Sequence, residues 1–227
     1  ALAVGGLLWA ALPVSAASPD GPAARLSETG LFAAGGVDRV RDDVLPFAPQ
    51  YPLWTDGAGK RRWIRLPAGK AIDGSRADAW EFPVGTRFWK EFAFAGRRVE
   101  TRFIERLRDG SWRFATYLWN EDGTDAVLAP ARGVPGGVEV RPGQRHAIPG
   151  ENDCRVCHEG RPTPILGFGA LQLSPDRDPG AAHAEAPPAG AVDLRTLVER
   201  GLLRGLPRQL LTDPPRIAAS TPTARAA

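Results

Sequence analysis

"RVETRFIERLRDGSWRFATYLWN", residues 98–120, decides the fold class. Two runs rich in β-branched and aromatic residues flank Arg108-Asp109-Gly110-Ser111, and Asp-Gly between such runs is a strong hairpin signal. Strict alternation puts Val99, Thr101, Phe103 and Glu105 on one face and Glu100, Arg102, Ile104 and Arg106 on the other. The first set is apolar at its centre and the second mainly charged, so the hairpin is expected to cover a core with one face only.

Outward from the hairpin, further strands are expected at "RRWIRLP" (61–67), "AWEFP" (79–83), "TRFWKEFAF" (86–94) and "GVEVRP" (137–142). Six or so short strands with turn signals between them imply a mainly β fold, a β-sandwich or partly open barrel. Residues 18–50 read as irregular, with a short helix around "RLSETGLFAAGG" (25–36). The strand pattern stops after residue 145. There follow two cysteines, a Pro/Gly/Asp-rich connection through residue 190, and "AVDLRTLVERGLLRGLP" (191–207), a short amphipathic helix with Asp193 as N-cap. The expected organisation is a partial signal peptide over 1–17, a β-rich domain over 18–145, and a small helical and loop module over 146–227.

The leading "ALAVGGLLWAALPVSAAS" carries no charge and ends in small residues, as the apolar and cleavage regions of an export signal do, with Val14-Ser15-Ala16 a fitting site. No methionine and no basic segment precede it, so the chain is expected to have lost its true start. After cleavage the protein is expected to be exported or periplasmic, with no stable membrane insertion. Three lysines stand against 26 arginines within a net charge of +3, and the bases are interleaved with acids. No phosphate-tracking stripe results, which argues against nucleic acid.

"ENDCRVCHEGRP" (151–162) holds both cysteines and one of three histidines. Cys-x-x-Cys-His is the attachment signature of c-type haem. Two thiols add to the two vinyl groups of one porphyrin, and the next imidazole turns under the ring to the iron. Cys154 and Cys157 are the expected thioether anchors and His158 the proximal ligand. A disulfide or redox dithiol competes, although the βαβ context of thioredoxin-like proteins is absent. So does zinc held by Cys154, Cys157 and two histidines. With no methionine, the distal candidates are His183 and His146, or an open position. "TPILGFGALQLS" (163–174) supplies Ile165, Leu166, Phe168, Leu171 and Leu173 to bury a porphyrin face or an ordinary core.

"YPLWTDGAGKRRWIRLPAGKAI" with the upstream "LSETGLF", then "HAIPGENDCRVCHEG" and "LGFGALQLS", resembles a family of exported bacterial dihaem c-type cytochromes. In that family a Pro-Leu-Trp-Ser/Thr-Asp-Gly-Ala block precedes an Ile-Pro-Ser-x-x-x-Cys-x-x-Cys-His block. The likeness spans most of residues 26–210, with Gly150 where serine is usual. It implies haem c on Cys154, Cys157 and His158, and a second haem motif beyond "STPTARAA". The family supplies no known reaction. Trp54, Asp56 and Lys60 lie in the shared block and read as structural, a Trp beside an Asp-Gly turn being expected to pack at a strand entry.

The reading that follows is an exported haem protein exchanging electrons with a redox partner protein or a small redox substrate. An oxidoreductase or its electron-delivery subunit is the alternative, and a dithiol or non-catalytic binding module a further one.

Overall fold

A computed structural model describes residues 21–218, and the expected signal segment lies outside them. In chain order the strands are β1 (Leu45–Pro46), β2 (Gly59–Arg65), β3 (Ile72–Asp73), β4 (Arg87–Phe94), β5 (Arg97–Arg106), β6 (Trp112–Trp119), β7 (Ala126–Leu128), β8 (Val134–Arg141), β9 (Gln144–Ile148) and β10 (Leu203–Arg204). Two longer helical turns matter to the site, α1 (Glu151–His158) and α2 (Leu194–Glu199). The fold is mainly β, as expected: a six-stranded antiparallel sheet in the order β1-β2-β4-β5-β6-β7, with β8–β9 and β3–β10 as separate pairs.

The opening stretch forms the β5–β6 hairpin, in register from Glu100↔Leu118 to Arg106↔Trp112. Its turn is built by the residues that signal it. Gly110 takes φ +85, and Asp109 Oδ1 accepts the backbone N–H of Ser111 at 2.9 Å.

The first face carries Trp63, Trp89, Phe103 and Tyr117, and the segment containing Leu26, Leu31, Phe32 and Val44 packs over it. Alternation fails at one residue. The β4–β5 register shifts between Phe92 and Ala93, a bulge that lets Val99 pack with Phe92 and Phe94 rather than with Phe103.

The second face is not the solvated surface its charges suggest. At one end Ile64, Phe88 and Ile104 pack with Phe47, Phe168, Leu173, Leu194, Leu197 and Leu203. At the other end Phe92, Phe94 and Leu118 lie beneath Val140 and Ile148 of β8–β9. Between them the charged residues are covered too, Glu100 being 0% and Arg62 6% exposed. Charges tolerate such cover only where they find partners, and these partners build the site described below.

Two expected elements differ. "AWEFP" makes only an isolated bridge from Glu81 to Asp73, because Pro83 cannot donate and Trp80 and Phe82 turn into the core. The strand pattern also runs past 145, since β9 continues to Ile148. The segment after the cysteines shares the sheet's core: Leu194 and Leu197 are fully buried, each contributing about 1.5–3 kcal/mol of apolar transfer. α2 starts where expected, Asp193 Oδ1 accepting the Thr196 N–H at 2.8 Å. It stops early, at Arg200, ahead of Gly201 at φ +66. Among the described residues no helix is long and apolar enough to cross a membrane.

Candidate functional site

α1 puts Cys154, Cys157 and His158 on one face, at i, i+3 and i+4. Its first turn is held from two sides. Asp153 Oδ2 accepts the Gly150 N–H at 2.8 Å, and the Glu151 N–H donates to the Ala131 carbonyl at 2.8 Å. Gly150 is required by contact rather than by dihedral. Its φ is an ordinary −81, but a Cβ there would lie 2.6 Å from the Ala131 oxygen. Arg155 pairs with Glu151 at 2.7 Å, one turn before it, and with Glu159, one turn after.

The helix packs on β6 of the second face. Phe114 of β6 meets the His158 ring at a centroid distance of 5.4 Å, and the Arg155 guanidinium lies 5.5 Å over the same phenyl ring. His158 Nδ1 is 2.6 Å from the Pro164 carbonyl. A carbonyl only accepts, so Nδ1 carries the proton and Nε2 keeps its lone pair free. Burial lowers the His158 pKa, and the Pro164 hydrogen bond opposes that shift in part. Pro164 is itself fixed by the next residues: Thr163 donates to the Trp80 carbonyl at 2.7 Å, and Ile165 and Phe168 enter the sheet core with Leu173.

Cys154 is half-buried and Cys157 exposed, and both are free thiols. Burial pushes the Cys154 thiol upward, with Arg102 offsetting part of the shift. That is opposite to the depressed pKa of a nucleophilic dithiol. Cys154 also borders an apolar cavity of about 710 Å³ lined by Phe114, Thr116, Leu118, Ala129 and Pro149. At roughly 100° per residue, Cys157 stands about 200° from Arg155. Since Arg155 lies over β6, Cys157 projects from the other flank of the helix.

The second face also presents a transverse row, whose Lys90 and Arg102 act electrostatically on His158. Arg62 of β2, Lys90 of β4, Arg102 of β5 and Thr116 of β6 are mutually in register. Arg102 bonds Glu100 Oε1 at 2.7 Å, and Arg62 bonds Glu185 Oε2 at 2.6 Å. Lys60 lies 3.6 Å from Glu185 and donates to the Leu53 carbonyl. Lys90 sits between the two arginines, its ammonium 4.7 Å over the Phe92 ring, with no carboxylate partner among the described residues. Burial first, then Arg62, Arg102 and Lys60, lower its pKa to about 7, against the opposing pull of Glu100.

The two distal candidates occupy different places. His146 is buried in β9, its Nε2 2.9 Å from Glu100 Oε1 and its ring against Phe92 and Phe94. His183 is exposed at φ +57, its ring 4.9 Å from Trp54. The loop bearing it is tied above β2 by Glu185 on Arg62 and by Arg177, which donates to the Ala48 and Pro49 carbonyls. Trp54 does not pack at a strand entry as expected. It is 62% exposed, and the ring it meets is that of His183.

Three residues escaped the sequence reading. Pro164 was hidden because its carbonyl, not its side chain, acts. Arg62 and Lys90 were hidden because their row exists only across strands; once the "TRFWKEFAF" and "RRWIRLP" strands are paired, the register supplies it. Among the described residues no three His, Cys, Asp or Glu side chains converge as a metal-ion set would.

Comparisons with models of protein families, with curated proteins and with solved structures find no match to this chain.

Proposed function

We propose that the chain is an exported c-type haem protein that transfers electrons, with haem bound through Cys154 and Cys157 and its iron taken by His158. The observation that carries this reading is the Nδ1–H of His158 donating to Pro164 while two thiols share its helical face. A ligating histidine is oriented and made more basic by such a bond on its other nitrogen. The residues fit the group: a neutral imidazole with Nε2 free, two uncommitted thiols at one and four residues before it, and an apolar cavity beside the first. A raised Cys154 pKa disfavours the dithiol alternative.

Bound haem supplies a one-electron Fe(III)/Fe(II) couple. The chain's part is to hold it and set its surroundings. α1 fixes the proximal imidazole against Phe114, and the loop carrying His183 lies over β2 of the same sheet face, held by Glu185 on Arg62. His183 is the better-placed sixth ligand of the two candidates, because the His146 Nε2 is already engaged by Glu100 in a closed core. The exposed Leu53, Trp54 and Val156 border this region and suit contact with a redox partner.

Periplasmic expression with haem maturation, followed by a reduced-minus-oxidised visible spectrum, tests the reading. A thioether-haem α-band is expected, and a spectrum without one overturns it.

A further inference from the structure

Four cations, Lys60, Arg62, Lys90 and Arg102, meet on the second face of the sheet, where they face two carboxylates, Glu100 and Glu185. Each carboxylate is claimed by an arginine, and Glu100 is shared further with His146. Lys90 is left over. Its ammonium stands 4.7 Å from the Phe92 ring centroid, on which the Arg102 guanidinium also lies at 4.4 Å; Arg102 has Glu100 as well, whereas Lys90 meets only the ring face. Retaining a half-buried lysine between two arginines costs free energy. A structural ion network would place a carboxylate beside it, and none stands there among the described residues.

The row also has a direction. α1 lies over β6, the strand at one end of the row, and Lys90 and Arg102 of the row both act on His158. β4 and β2 lie two and three strand spacings from β6, about 10 and 14 Å at the usual interstrand distance. Porphyrin vinyl groups and propionates occupy opposite edges of the ring. A ring anchored through α1 over the row would carry its two carboxylates towards β4 and β2. There, two cations more than the carboxylates can neutralise are gathered.

We propose that Lys90 with Arg62 and Arg102 forms a carboxylate-binding site, and that the carboxylates it takes are the haem propionates; this rests on the haem reading above. Arg62 presents a planar fork suited to one carboxylate, and Lys90 a point charge between it and Arg102.

Resonance Raman spectra of the haem-loaded full chain test this through the propionate bending band. Lys90→Met is expected to shift that band, as is Arg62→Gln, which serves if Lys90→Met fails to accumulate. Lys70→Met, at an exposed loop position, should leave it in place. In a second arm, acetate is titrated into haem-loaded protein carrying isotope-labelled lysine, whose three lysines give resolvable signals. The Lys90 signal should not respond. A propionate band unmoved by both Lys90→Met and Arg62→Gln overturns the proposal, and so does saturable acetate binding at Lys90, which would assign the row to a free anion. Failure of the haem reading is distinct, because then no haem spectrum is obtained at all.

Discussion

His158 Nδ1 and the Pro164 carbonyl oxygen are 2.6 Å apart, which fixes the proton on Nδ1 and leaves Nε2 as the free nitrogen of the only histidine that follows a cysteine. The same bond ties the end of α1 to a loop whose next side chains, Ile165 and Phe168, are core residues. The imidazole is thus positioned by the sheet rather than by its short helix. Nitrogen NMR of the full chain prepared without haem should report the Nδ1–H tautomer at His158 above its titration. A dominant Nε2–H tautomer would contradict the assignment.

With haem attached, His183 and His146 separate by their effects. His183→Ala should let carbon monoxide bind the reduced protein, while in the chain prepared without haem it should leave the unfolding free energy within about 0.5 kcal/mol, as expected for an exposed side chain. His146→Ala should leave carbon monoxide binding as in the wild type and weaken the fold, since it strips Glu100 of its buried partner. The reverse pattern would move the distal role to His146.

Glu100 is the single carboxylate between His146 and Arg102, and it is fully buried. Glu100→Ala should destabilise the chain by about 3–5 kcal/mol, the cost of leaving a buried partner unpaired. Glu100→Gln, which preserves shape and one acceptor, should cost less. Urea unfolding of the two variants checks both.

Gly150→Ala should cost about 1–3 kcal/mol through overpacking, because its new Cβ would meet the Ala131 oxygen and the Arg132 carbonyl carbon at 2.6 Å. Substitution at Gly69, where nothing lies within reach of a Cβ, offers a comparison dominated by its φ of +71 alone.

Lys90 has a folded pKa near 7 against an ordinary 10.5. Between these values the unfolded chain holds a proton that the folded chain does not, so stability rises with pH across that window and is lost as pH falls through 7. Arg62, Arg102, Lys60 and Glu100 surround the ammonium. Without haem, urea midpoints should increase from about pH 7 towards pH 10, and Lys90→Met should flatten that increase. A wild-type curve with no rise would contradict the burial of an unpaired cation.

The β5–β6 hairpin was legible because its turn residues and alternation agree, and α2 began at the Asp193 cap that the sequence offered. Val99 was misread because a bulge breaks the period of two, and no residue type announces a bulge. The second face was misread for a different reason. Glu100 and Arg102 look solvated in sequence, and only their long-range neighbours, His146 at 46 residues' distance and the Glu185 loop over Arg62, show that they are covered. Cys154, Cys157 and His158 were singled out by their spacing alone, and the structure adds that they share one face of α1. Pro164 and Lys90 needed the structure, because one meets His158 through its backbone carbonyl and the other joins Arg62 and Arg102 only through strand register.

Intact mass of the denatured full chain, produced with haem maturation, tests the central claim most directly. The account predicts a mass increased by one haem for the Cys154/Cys157 motif, surviving denaturation and absent from Cys154→Ser/Cys157→Ser. A wild-type chain at the mass of the bare polypeptide would contradict it.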